Sequence, residues 1–380
     1  MSALSGVRVV EFAGLAPVPY CGMLLADLGA DVVRIDRSPT HFRNSDSRPA
    51  DPLSRGKRSI GVDLKHPGGV AAVLTLLDTA DALVEPFRPG VMERLGLGPD
   101  VVLSRNPRLV YARLTGWGQD GPYARMAGHD IDYIALGGAL GAIGRRGKRP
   151  VPPVNLVGDF AGGGLWCAFG IVAALYERTA SGQGQVLDAA MVDGTASLMA
   201  MLFGMHRSGL WSTEHGTNLL DTGAPFYDTY RCADGRFVAV GAIEPQFYAA
   251  LLGGLGLDPA ELPDQMDRDR WDETRAVFAA RFAERGRDEW QATFDGTDAC
   301  VAPVLRMDEI LAHPHNAARG VLVDGPDGNL QAAPGPRLGR SAPTITGPAP
   351  VPGEHTDTIL AETGLDAHTI AKLRAVGAVG

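Results

Sequence analysis

Lysine is scarce in this chain. Of the 35 basic residues among 380, only Lys57, Lys65, Lys148 and Lys372 are lysine. Positive charge is carried almost wholly by arginine, the side chain suited to bidentate phosphate and carboxylate contacts. Acidic residues outnumber basic ones, 44 to 35, for a formal net charge of −9. That balance argues against nucleic acid or an anionic membrane as the main partner, while leaving room for a local basic pocket. Cysteine is equally sparse: Cys21, Cys167, Cys232 and Cys300 stand far apart and form no C-x-x-C pair. This argues against a zinc site or disulfide framework and fits a reducing cytoplasm. The opening "MSALSGVRVVEFAG" has no basic leader followed by a long apolar run. The longest apolar run, "LWCAFGIVAALY" at 165–176, is short for a bilayer span, and the closing "AVG" is no peroxisomal address. The expected location is therefore the cytoplasm.

What is present is ordinary globular material, 45% hydrophobic and 21% charged, with length for one large and one smaller domain. The first half alternates short β-branched runs with helical stretches. Strands are expected at 7–13, 31–36, 59–64, 81–87 and 108–117, and helices at 20–30 and 67–80. This βαβα rhythm predicts an α/β fold with a Rossmann-like parallel sheet and helices on both faces. The pattern changes after about residue 190. "FYDTYRCADGRFVAVGAIEP" (226–245) reads as a β-hairpin turning at Ala233-Asp234-Gly235. The stretch from 245 to about 318 reads as mostly helical, and 324–353, rich in Gly and Pro, as a long connection. Two short helices close the chain, the second capped by Asp366. The expected organisation is a large domain over 1–190, linker helices over 191–224, a smaller α+β domain over 225–320, and a segment over 321–380 that returns to the large domain.

No G-x-G-x-x-G follows the first strand. The turn there reads "AGLAPVPYCG", which counts strongly against a nicotinamide-dependent oxidoreductase. Two other stretches carry chemistry. In "AGHDIDYIALGG" (127–138), His129 stands where a helix begins, because Ile131, Ile134, Ala135 and Gly138 fall at helical spacing. The positive end of that helix disfavours imidazolium, so a neutral imidazole could accept a proton there. A lone histidine is more often structural. In "NLVGDFAGGG" (155–164), Asp159 precedes a long apolar helix; an N-cap is the plain use of such an aspartate. The other use is a carboxylate stabilised by backbone N–H groups, with Gly162–Gly164 letting a ligand approach the backbone. Glu244 ends a strand before Pro245, either as another cap or as a carboxylate that orients a histidine. Arg37 and Arg88 end strands, and Lys57, Arg58, Lys65 and Arg94 lie near them, a basic rim where α/β folds bind ligands. Met201, Leu202, Met205, Trp211 and Leu220 serve either as core or as an adaptable apolar pocket.

Together, "SGVRVVEFAG…LLADLGADVVRID", "RPGVMERLGLG", "RLVYARLTGWGQDGPYARMAGHDIDY", "NLVGDFAGGG", "DAAMVDG" and "HTDTILAETGLDAHTIAKLRAVGAV" resemble the class III CoA-transferase family. Within it they look like the α-methylacyl-CoA racemase branch. The resemblance implies that His129 and Asp159 are two acid/base residues on opposite faces of the α-carbon of an acyl-CoA thioester, with Glu244 orienting His129. It maps CoA contacts onto Arg37, Val62, Asp63, Leu64, Lys65, Pro86, Phe87, Arg88, Arg94, Gly128, Asp130, Ile131, Asp132 and Tyr133. It implies an interlocked homodimer, with CoA entering only as part of the substrate and no separate cofactor or metal. The family's transferases use an aspartate aligned with Asp159 as a covalent nucleophile, so CoA transfer is the alternative activity, and a non-catalytic CoA-ester binder a more distant one. The histidine in "GHDIDY" separates the racemase reading from the transferase one.

Overall fold

The computed structural model describes residues 2–37 and 51–380, arranged as two compact units. The larger comprises Met1–Gly137, Val154–Leu198 and Gly320–Gly380; the smaller comprises Gly138–Pro153 and Met199–Arg319. The larger unit opens with β1 (Arg8–Phe12), α1 (Pro17–Asp27), β2 (Asp31–Arg37), β3 (Arg58–Val62), α2 (Pro67–Leu77) and β4 (Ala82–Glu85). It continues through α3 (Val91–Arg94), α4 (Pro99–Arg105), β5 (Val110–Thr115) and α5 (Asp130–Leu136). Gly138, in the left-handed region at φ 91°, then turns the chain into the smaller unit, where α6 (Ala139–Ala142) lies. The chain returns for a π-helical segment (Leu156–Leu165), α7 (Trp166–Ser181), β6 (Val186–Ala190) and α8 (Met191–Leu198).

Six strands form one sheet in the order β3-β2-β1-β4-β5-β6, every neighbouring pair parallel. Side chains alternate across each strand. Val9, Val32, Val84 and Ala112 face α1 and α7, whereas Val10, Val33, Leu83 and Tyr111 face α2 and the C-terminal helices. Both faces are buried, which is why these strands read as continuous apolar runs. The edge strand β6 has no such run, because its first three residues are not buried, and the sequence pattern does not announce it.

Residues 138–153 belong with the smaller unit rather than the large domain expected for them. Arg145 pairs bidentately with Asp228, at 3.1 and 2.7 Å, and Arg146 with Asp272, contacts whose sequence separation no local pattern reveals. The expected linker helices divide likewise, α8 to the larger unit and α9 (Ala200–Arg207) to the smaller. The hairpin forms as expected from β7 (Tyr227–Arg231) and β8 (Phe237–Gly241), with Gly235 at φ 79° in the turn. α10 (Pro245–Leu255), α11 (Trp271–Phe282), α12 (Arg287–Phe294) and α13 (Pro314–Arg319) follow, but the stretch also yields β9 (Val301–Pro303), a third antiparallel strand. Phe226, Tyr230, Trp271, Phe278, Phe282 and Trp290 build this unit's core.

The Gly- and Pro-rich connection contains a small hairpin, β10 (Leu322–Asp324) and β11 (Leu330–Ala332). Arg55, buried and paired with Asp27, also donates to the Ala332 carbonyl at 2.7 Å, tying this hairpin to α1. α14 (Thr356–Glu362) and α15 (Ala367–Ala375) end the chain, and the Asp366 side chain accepts from the Thr369 N–H at 2.7 Å as the N-cap. Val379 bridges to Val62, so the tail closes against β3.

Candidate active site

The carboxyl edge of the sheet is where loops from β1, β4 and β5 converge. α1 cannot cradle a phosphate there in the Rossmann manner, because Pro17 and Pro19 remove two of the N–H groups its first turn would offer. Beside it lies a cavity of about 390 Å³, lined on different walls by Leu15, Arg88, Trp117, His129 and Asp159.

α5 builds one wall. His129 is its N-cap, with extended backbone at φ −133° and ψ 173°, and the Asp132 carboxylate reaches back to accept the His129 N–H at 3.0 Å. This return bond fixes the entry of the chain into the helix. Glycine is required on the way in. A Cβ on Gly128 would lie 2.6 Å from Tyr133 Cε1, and one on Gly116 only 2.0 Å from it. Tyr133 is thereby packed beneath both loops, edge-on to Trp117 at 4.8 Å, and this packing sets the position of the His129 backbone. Burial above all, then the Asp159 and Asp132 carboxylates, push the Tyr133 phenol up to about 12.

The π-helical segment adds Asp159 to the same lining, and here the expected geometry is corrected. Asp159 is not the N-cap of the apolar helix; it is the fourth residue of a π-helix that begins at Leu156. Such wide turns leave backbone groups available for other partners. The Asp159 N–H donates to Asp130 Oδ1 at 2.6 Å, and Asn155 Nδ2 donates to Asp159 Oδ2 at 3.0 Å. Gly162, Gly163 and Gly164 do not open the backbone to a ligand either. All three are buried, and a Cβ on Gly162 would lie 2.8 Å from the Thr195 N, while one on Gly164 would lie 2.6 Å from the Pro17 carbonyl. The glycines let the segment pack backbone-to-backbone against α8 and α1. Joined to α7, it makes a continuous apolar helix over Leu156–Ser181, long enough to cross a membrane by length and composition, although its inner side packs into the core through Cys167, Ile171 and Leu175.

Burial raises the Asp159 carboxyl above its ordinary value, and the neighbouring Asp130 carboxylate adds to the rise, against the Asn155 hydrogen bond and the charge of His129. The Asp130 N–H and Ile131 N–H, in the first turn of α5, have no intrahelical acceptor. One cavity thus holds an imidazole, a carboxyl raised above its ordinary value by burial, and the backbone of Asp130 at a helix start.

Of the residues expected to hold CoA, Pro86, Arg88, Gly128, Asp130 and Tyr133 line this cavity with His129 and Asp159. Arg37, Val62, Asp63, Leu64, Lys65, Phe87, Arg94, Ile131 and Asp132 do not. Arg37 and Val62 are register partners at the carboxyl ends of β2 and β3, with Lys65 exposed just beyond, so they share the sheet edge. Val62 is 2% exposed and Phe87 packs edge-on to Phe12 at 5.7 Å, so these two side chains serve the core. Glu244 lies in the smaller unit as the N-cap of α10, its carbonyl accepting from the Phe247 and Tyr248 N–H groups. Gly14, Leu15, Pro17, Trp117, Met126 and Met191 line the cavity without having been singled out from the sequence. The signal for the first four was available, since each stands within a few residues of a strand's carboxyl end.

The sequence model of CoA-transferase family III matches residues 4–356. This chain belongs to that family. Within it, the chain is 51% identical over 373 residues to the human protein named alpha-methylacyl-CoA racemase, covering 98% of this chain and 96% of that one. The mouse protein of the same name is also 51% identical, over 97% and 96% of the two chains. The fold is shared with a CAIB/BAIF family protein from Brucella suis, at 26% identity and a TM-score of 0.81, covering 95% and 99% of the two chains.

Proposed function

We propose that this family III protein is an α-methylacyl-CoA racemase that inverts the α-carbon of 2-methylacyl-CoA thioesters by moving protons through an enolate. The observation that carries the reading is that His129 and Asp159 line one cavity from two different helix starts. The identity to the human and mouse racemases supports it.

The steps balance without a further reagent. The thioester carbonyl acidifies the α-C–H; a neutral His129 takes that proton, and the electron pair moves onto the carbonyl oxygen. The Asp130 N–H at the start of α5 is the donor proposed for the charge that develops there. Protonated Asp159 then returns a proton to the carbon from the opposite face. For the other enantiomer the roles exchange, Asp159 taking the proton and imidazolium giving one back. Burial, which raises the Asp159 carboxyl, favours its protonated form and so suits this duty. The chemistry as proposed asks for no metal or redox group, since CoA arrives within the substrate.

A second copy of the chain completes the proposal. Trp166, Phe169, Val172 and Tyr176 project from α7 with 39%, 65%, 38% and 80% exposure, an apolar face that a homodimer would cover. Sedimentation that finds only monomer at micromolar concentration would remove this part. We also place the protein in the cytoplasm, where its four free thiols stay reduced.

The deciding experiment is incubation with (S)-2-methylacyl-CoA in D₂O without an acceptor acid, following the α-proton by NMR. Deuterium entering the α-carbon as the R form appears supports the racemase. Absence of exchange, with acyl-CoA formed only once a carboxylic acid is added, would instead make Asp159 the nucleophile of a transferase.

A further inference from the structure

Glu85 ends β4 with its side chain fully buried, and it is not among the residues that line the cavity. Its carboxylate has two partners. Oε2 accepts the Phe87 N–H at 2.7 Å, and Oε1 accepts Arg113 Nε at 3.0 Å from β5. Arg113 extends the network, its two remaining nitrogens donating to Glu93 of α3 at 2.9 and 3.3 Å. One guanidinium thus clamps β4 to α3, and the segment between them, Pro86–Gly90, is the loop whose Pro86 and Arg88 line the cavity. Apart from the Phe87 ring, which packs edge-on to Phe12 at 5.7 Å, the loop is tied loosely around Arg88. The Arg88 carbonyl accepts the Val91 N–H at 3.1 Å, and the Arg88 guanidinium makes one long contact, 3.5 Å, to the Arg125 carbonyl.

We infer that Glu85 is a positioning residue for CoA-ester binding: through the Phe87 N–H and Arg113, it holds the loop so that Arg88 faces the cavity. The inference rests on the reading of this cavity as the CoA-ester site. A neutral Glu85 loses the charge-assisted half of both bonds, and the loop is then held by weaker contacts. The group is placed to change state near neutrality. Burial pushes its carboxyl up to about 7, with the Glu93 carboxylate adding to the rise, against the Phe87 N–H and Arg113. The charged or titratable groups that face it are Arg113 and Tyr111 from β5 and Glu93 from α3. Above about 7 Glu85 is ionised and the loop is held; below, it is neutral and the loop is loosened.

The test is the dissociation constant of CoA, by calorimetry from pH 6 to 8.5, for the wild type, E85Q, E93Q and R88A, with kcat for α-proton exchange alongside. In the wild type, binding tightens as pH rises through about 7. E85Q binds about tenfold more weakly at pH 8, loses that inflection and changes kcat much less than affinity. The phosphates of CoA titrate equally in every variant, so the difference between profiles is the readout. E93Q moves the inflection to lower pH, because it removes a charge that raises Glu85. Being exposed, Glu93 gives a folded variant even if E85Q fails to fold. Wild-type affinity and profile in a folded E85Q, or an unmoved inflection in E93Q, would overturn the inference. If R88A binds CoA as tightly as the wild type, the reading of the cavity as the CoA site fails instead. If exchange is absent while the affinity profiles behave as expected, Glu85 keeps its role and the racemase reading fails alone.

Discussion

Asp130 and Asp159 are joined by a 2.6 Å hydrogen bond, from the backbone N–H of Asp159 to a carboxylate oxygen of Asp130. The side chain that follows His129 therefore fixes the backbone of the second acid/base residue, and Gly158 makes room for it, since a Cβ there would lie 2.5 Å from the same oxygen. Asp130 is 6% exposed, and its negative charge is one cause of the raised Asp159 carboxyl.

Asp130→Asn keeps an oxygen for the Asp159 N–H and removes the charge. The Asp159 carboxyl then falls toward its ordinary value. In the direction where Asp159 gives a proton, activity is lost as pH rises through that group, so the alkaline limb should move to lower pH. A pH–rate profile in that direction checks the shift. An unmoved limb would mean that Asp130 only positions the backbone.

Removing one base of a pair should be lopsided. His129→Ala is expected to lose deuterium uptake from one enantiomer by at least about a hundredfold, while the other still exchanges its α-proton through Asp159. Asp159→Ala should show the opposite preference. Proton washout measured separately on the R and S substrates reads both, and equal, small losses on the two would refute the assignment.

Much of this arrangement was legible in sequence, and the limits have physical causes. The five expected strands announce themselves because a parallel sheet covered on both faces needs uninterrupted apolar runs, and β6 escapes notice because Val186–Asp188, its first three residues, are not buried. His129 at a helix start was readable from the spacing of Ile131 and Ile134. Asp159 was readable as a candidate but not in its geometry: an α-helical cap and a π-helical turn share the same local letters, and the choice is made by Gly162 and Gly164 packing on Thr195 and Pro17. The ion pairs of Arg145 and Arg146, which set the division of the chain, join residues 83 and 126 positions apart, beyond any periodic signal.

Lys57 and Glu11 form an ion pair with both side chains at 0% exposure, at 2.9 and 2.7 Å, and Lys57 also donates to the Pro19 carbonyl of α1 at 2.9 Å. Burial pushes the Glu11 carboxyl up and the Lys57 amine down, each opposed by the other's charge. Either partner alone is a buried charge without compensation. Lys57→Met should therefore cost about 3–5 kcal/mol of stability, and adding Glu11→Leu should recover most of it. Urea unfolding of the two variants gives the comparison; equal losses in single and double variants would show that packing against Pro19, rather than the pair, is what matters.

The glycines of the π-helical segment make a sharper claim, because they link stability to the site. A Cβ on Gly164 would lie 2.6 Å from the Pro17 carbonyl, 2.8 Å from Tyr20 Cδ1 and 3.3 Å from the Cys21 N. Two of these are backbone atoms of α1, whose first residue, Pro17, lines the cavity. Neither can yield without moving the helix, so Gly164→Ala should destabilise the protein by about 1–3 kcal/mol. Exchange activity should fall with it, since the shift falls between α1 and the segment that carries Asp159. Gly253→Ala is the control: Gly253 is in α10, nothing lies within 4 Å of its Cβ position, and alanine there should be neutral or stabilising by up to about 1 kcal/mol. Thermal melts of the two variants decide the matter. A Gly164→Ala protein as stable and active as the control would mean that the segment tolerates an ordinary α-helical spacing, and the π-helical turn would then not be what places Asp159.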